Sequence, residues 1–66
     1  MNFKRKLKVG QQVRTPMLHL WGMGTIVGLG LYSALVGYNT PTGYYEDSIP
    51  YFLFKELNQH LFKGEN

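Results

Sequence analysis

Met17-Leu18-His19-Leu20-Trp21-Gly22-Met23-Gly24-Thr25-Ile26-Val27-Gly28-Leu29-Gly30-Leu31-Tyr32-Ser33-Ala34-Leu35-Val36-Gly37-Tyr38 is the stretch on which the fold turns. It is apolar or small almost throughout, and it sits inside a longer run, Thr15 to Tyr45, that carries no charge. As a helix, residues 17–38 rise roughly 33 Å, against a hydrocarbon core of about 30 Å. Length and polarity therefore predict a transmembrane helix over 17–38. Five glycines between Gly22 and Gly37 oppose a helix in water by about 1 kcal/mol each. In lipid the balance reverses, because an unpaired backbone group in hydrocarbon costs more than a poor helix propensity.

The charges lie on either side of this run. Lys4, Arg5, Lys6, Lys8 and Arg14 precede it without an acid, and Glu46, Asp47, Lys55, Glu56, Lys63 and Glu65 follow it. Residues 1–16 thus read as a basic arm suited to anionic phospholipid headgroups, which are favoured over nucleic acid beside a span. The net charge of +3 and the mean hydropathy of -0.22 conceal this segregation. By the positive-inside rule the N-terminus stays on the matrix or cytoplasmic side. Residues 39–66 form a loop and tail on the other side. Asn39-Thr40-Pro41-Thr42-Gly43 is a turn signal, and Asp47 or Ser48 with Pro50 reads as the start of a short amphipathic helix over about 50–62. Leu53, Phe54, Leu57 and Leu61 give that helix its apolar face. The expected fold class is all-α.

Few residues suggest chemistry. The absence of Cys excludes disulfide scaffolds and Cys-based zinc sites. His19 and His60 have no facing partner, so no metal, haem or other cofactor is expected, and no catalytic residue is assigned. Gly24 and Gly28, with Gly30 and Ala34 at the same four-residue spacing, read as helix-packing positions where another span can approach closely. Trp21 and Tyr38, near opposite ends of the span, read as interface aromatics.

Pro16, Leu18, Leu20, Trp21, Gly22, Thr25, Ile26, Val27, Gly28, Leu29, Tyr32 and Ser33, followed later by Ile49-Pro50, carry a family resemblance over about half of the chain. This pattern resembles subunit 10, the single-span accessory subunit of the mitochondrial cytochrome bc1 complex (complex III). The resemblance implies a non-catalytic member of the respiratory electron-transport chain in the mitochondrial inner membrane. Its implied partners are the Rieske protein's anchor helix, neighbouring single-span subunits and cytochrome b. The glycines at 24 and 30 and the segments 39–45 and 55–66 depart from the family pattern.

A competing reading takes Gly24–Leu29 and Ser33–Tyr38 as two strands of an SH3-like small barrel, with Val9–Arg14 as its first strand. That barrel resembles the interaction modules appended to DNA helicases or photosystem I. A soluble hairpin is expected to alternate polar and apolar residues, and this stretch has almost no polar positions. A third reading, the plasmid-type dihydrofolate reductase barrel, matches Trp21 with Ile26-Val27-Gly28 and Thr40-Pro41-x-Gly43-Tyr44. Its Val-Gln-Ile-Tyr site strip is missing here.

Overall fold

The computed structural model describes residues 7–59. Within them the chain forms β1 (Gln12–Val13), α1 (Leu18–Trp21), β2 (Gly24–Leu29), β3 (Ser33–Thr40), β4 (Gly43–Pro50) and α2 (Tyr51–Leu57). The strands make one antiparallel sheet in the order β1-β2-β3-β4. The all-α expectation is therefore wrong. Residues 17–38 are divided among a single helical turn, a strand, a turn and most of another strand. No helix among the described residues is long and apolar enough to cross a membrane. The inner-membrane location, the single-pass topology and the respiratory-complex membrane role all depended on that span, and they fall with it.

The physical reason lies in the glycines and in the strand pairing. Thr25-Ile26-Val27 are β-branched and suit a pleated surface. Gly24 packs against the neighbouring strand where no Cβ fits, since one built there falls inside contact distance of Val36 Cγ1 and 3.0 Å from Tyr38 Cε2. Gly24 and Gly28 are thus not a one-turn pair on a helix. Gly24 is buried in the sheet, Gly28 stands beside Leu35, Gly30 closes the β2–β3 turn through Ser33 O at 2.8 Å, and Ala34 is a core residue.

The missing alternation has two causes. The register of β2 on β3 runs Thr25↔Gly37 and Ile26↔Val36, then Gly28↔Leu35 and Leu29↔Ala34, so Val27 is an extra residue in a bulge. The bulge puts Ile26 and Leu29, three apart, on the same inner face, which in sequence looks helical. The outer face carries Thr25, Gly28, Leu35, Gly37 and Asn39 in place of charged residues. Gly37 is itself covered, because the Tyr44 ring lies where its side chain would be.

The expected loop at 39–43 is much tighter in the structure. Thr40 pairs with Gly43 across Pro41-Thr42, and β3 and β4 then pair without interruption as far as Ser33↔Pro50. Asp47 and Ser48 lie inside β4 and cap no helix; the Ser48 hydroxyl bonds the Ser33 hydroxyl at 2.9 Å. A helix does begin at Tyr51, while the expected positions 60–62 lie outside the described residues. Tyr51 and Phe54 face inward and Phe52, Lys55 and Glu56 outward.

The core lies under one face of the sheet. Leu7, Val13, Ile26, Ala34, Val36, Tyr38, Ile49, Tyr51 and Phe54 are buried together, with Met17, Trp21, Leu29 and Leu53 packed against them. Asn58, just beyond α2, closes the arrangement. It is fully buried; its Oδ1 accepts the Arg14 N–H at 2.7 Å and its Nδ2 donates to the Arg14 carbonyl at 2.8 Å. The side-chain amide therefore serves Arg14 as a further strand would, and it fastens the end of α2 beside β1.

Three stability outcomes follow from this packing. Gly24→Ala should lower the unfolding free energy by about 1–3 kcal/mol by overpacking. Gly28→Ala places its Cβ at an ordinary 3.7 Å from Leu35 Cβ, and it should change stability by less than about 0.5 kcal/mol. Urea midpoints measure both, and equal losses would contradict the strand geometry. Asn58→Ala leaves two backbone groups of Arg14 unpaired and should cost about 1–3 kcal/mol in the same measurement.

Candidate aromatic binding site

The site is built around Thr15, a buried residue between β1 and α1. Its hydroxyl oxygen accepts the Met17 N–H at 3.2 Å, and its carbonyl accepts the Leu18 N–H at 3.0 Å. These bonds hold the turn that leads into α1. The same hydroxyl oxygen accepts the phenol proton of Tyr38 at 2.5 Å. A residue near the first strand thereby fixes both the start of α1 and the tip of a β3 side chain.

Trp21, the last residue of α1, lands on two tyrosines of the β3–β4 hairpin. Its ring centroid lies 4.9 Å from that of Tyr38 at 63°, an edge-on contact, and 5.0 Å from that of Tyr45 at 11°, a stack. Tyr38 and Tyr45 are directly opposite across the strands. The ring quadrupole favours edge-on and offset-stacked pairs over a face-to-face sandwich. Tyr38 is buried at 1 % exposure, whereas Tyr45 is 38 % exposed. The cluster thus runs from the core to the surface. The Tyr45 phenol is steadied by the Thr42 hydroxyl at 3.1 Å, and Thr42 in turn by Thr40 at 3.2 Å.

Two carboxylates flank the aromatic rings. Asp47 pairs with Val36 and so shares the Tyr45 face of β4, while Glu46 pairs with Gly37 on the opposite face and accepts the Tyr44 phenol proton at 2.9 Å. Burial pushes the Tyr38 phenol above its ordinary value of 10.0; the Thr15 bond opposes this shift, and the negative charge of Asp47 adds to it. Burial also raises Tyr51. The bond to Glu46, followed by burial and the Glu46 charge, raises Tyr44.

Trp21 and Tyr38, expected at opposite ends of a span, are therefore in contact. Gly24, Gly28, Gly30 and Ala34 are dispersed over a buried strand position, an outer face, a turn and the core, and they form no packing stripe. Lys8 and Arg14 are exposed, and Lys4, Arg5 and Lys6 lie outside the described residues. His19 is exposed on α1, and His60 lies outside the described residues. Among the described residues no three His, Cys, Asp or Glu side chains gather in a group that could hold a metal ion. Sequence reasoning missed Thr15, Tyr44, Tyr45, Glu46, Asp47 and Asn58. A signal was present in Tyr44-Tyr45-Glu46-Asp47, where each tyrosine has an acid two residues on, the spacing that shares a strand face. Comparison of the chain with known protein families, curated proteins and solved structures finds no match.

The raised tyrosines give stability an alkaline limit. The folded state holds these phenol protons more tightly than the unfolded chain does. Their contribution is complete below about pH 10 and is lost as pH rises through the higher folded values. Urea midpoints should therefore fall above about pH 10, and Tyr38→Phe should fall less steeply than wild type from its own lower starting value. Parallel declines would show that Tyr38 is not the coupled group.

Proposed function

We propose that this chain is a non-catalytic interaction module, the role that the small-barrel reading implied, carried on an open four-stranded sheet, and that it binds an extended segment of another protein on the Trp21–Tyr45 platform. The observation that carries this reading is the stack itself. A rigid indole and phenol are stacked one on the other, anchored inward through Tyr38 and Thr15 and open to solvent at Tyr45. Aromatic side chains offer a partner a large contact area while losing little conformational entropy, which is why Tyr and Trp dominate binding hot spots. Strands β2 and β3 fall where the small-barrel reading puts two strands, and β1 lies within Val9–Arg14.

Support for a non-catalytic role comes from the placement of the acids. Glu46 and Asp47 are adjacent on a strand and point to opposite faces, so they cannot converge on one substrate atom as an acid–base pair. The accessory-subunit reading needed a membrane helix to pack against its neighbours, and with that helix gone it loses its premise.

Trp21 is the chain's one tryptophan, so its fluorescence reports on the site alone. Titration with a panel of unstructured peptides differing in charge and proline content should change that emission and shift the Trp21 indole and Tyr45 resonances. Tyr45→Ala should weaken such binding about tenfold. Tyr32→Ala, at an 80 % exposed position in the β2–β3 turn, should leave it unchanged. Binding that shifts residues elsewhere and ignores Tyr45→Ala would overturn the assignment.

A further inference from the structure

The sheet has two edges, and they are treated differently. On one edge β1 is only two residues long, and Asn58 takes up the backbone N–H and C=O of Arg14 just beyond it. The β4 edge runs over eight residues, each paired to β3 on one side, with no bulge to twist it away. Gly43 to Ser48 are all exposed. In an antiparallel strand alternate residues turn their N–H and C=O groups away from the neighbour, so β4 presents a row of backbone donors and acceptors. Among the described residues no other segment pairs with that side.

What such an edge accepts is decided by its side chains. Tyr45 and Asp47 share one face of β4, and Tyr44 and Glu46 share the other. Each face therefore offers one aromatic ring and one carboxylate two residues apart. A cationic side chain gains from both, through the ring quadrupole and through the ion pair. A second copy is a poor occupant. Antiparallel pairing of β4 on itself centred on Glu46 sets Glu46 opposite the copy's Glu46, and pairing centred on Asp47 sets Asp47 opposite the copy's Asp47; like charges directly opposite destabilise a strand pair.

We propose that β4 binds an extended basic segment of a partner protein by strand addition, with two consecutive Lys or Arg residues of that segment opposite Glu46 and Asp47. Consecutive residues are required because the two acids lie on opposite faces and the partner's side chains alternate in the same way. Pro50, with no N–H to offer, marks the end of the usable edge. This inference rests on the interaction-module reading and adds to it the chemistry and the geometry of the ligand.

The test uses the whole chain with the blocked peptide Thr-Val-Lys-Arg-Val-Thr and its counterpart Thr-Val-Gln-Gln-Val-Thr. Two further versions of the basic peptide carry backbone N-methyl groups on one or the other alternate set of amides. The basic peptide should slow hydrogen exchange at alternate β4 amides and bind at least about tenfold tighter than the Gln-Gln peptide at low salt. One N-methylated version should lose binding and the other keep it. Glu46→Gln and Asp47→Asn, both at exposed positions, should each weaken binding about threefold to tenfold and flatten its salt dependence. Equal affinity for the basic and Gln-Gln peptides, or equal effects of the two methylation patterns, would overturn the proposal. Protection of β4 amides that grows with protein concentration and needs no peptide would also overturn it, in favour of a second copy. Shifts at Trp21 and Tyr45 without β4 protection would reject strand addition while leaving the interaction-module reading intact; silence at both would reject the two together.

Discussion

The two hydrogen bonds between the Asn58 amide and the Arg14 backbone hold the rest of the structure in its arrangement. One side chain satisfies a donor and an acceptor of Arg14, just past β1, and it also reaches the Phe54 carbonyl at 3.2 Å, so all three bonds are made by a side chain that is itself fully buried. Burying an amide without such partners costs more than most single contacts return, so its geometry is strongly specified. Through it the end of α2 is tied to residues 44 positions earlier. That tie keeps Tyr51 and Phe54 over the sheet and completes a core that no disulfide supports.

A second buried hydroxyl link joins this core to the surface. Thr15 shapes the entry to α1 and receives Tyr38, and Tyr38 sets the edge on which Trp21 rests. The exposed Tyr45 ring is consequently backed by a chain of contacts ending in the hydrophobic interior. A platform supported in this way does not have to be ordered again when a ligand arrives, which lowers the entropic cost of binding. The neighbouring acids cost little where they stand, because each lies on an exposed strand and neither is buried against the other.

The sheet was hidden in the sequence for reasons that particular residues make plain. Ile26 and Leu29 imitate a helical spacing because Val27 is bulged. Gly37 is one of the five glycines of the expected span, and it is the place where the Tyr44 ring lies across β3. The outer face of β2 and β3 carries no charge because its polarity resides in Thr25, Asn39 and exposed backbone, while the carboxylates lie one strand away on β4. An uncharged run is thus not the same as an apolar one. The glycine cost that argued against a helix in water was sound, and placing the segment in lipid set it aside.

The sequence by itself determined the turn within Asn39–Gly43, the start of a helix close to Pro50, the place of Phe54 on that helix's apolar face and the absence of any thiol chemistry. Each of these follows from local backbone restriction or from composition, which neighbours cannot change. Tertiary structure alone decided which strands pair and in what register. It also brought Trp21 onto Tyr38 and Tyr45, set Asn58 against Arg14, and left β4 as an open edge. Those outcomes depend on contacts between residues far apart in the chain, and a one-residue bulge is enough to reassign the faces. No window of sequence contains both halves of such a contact.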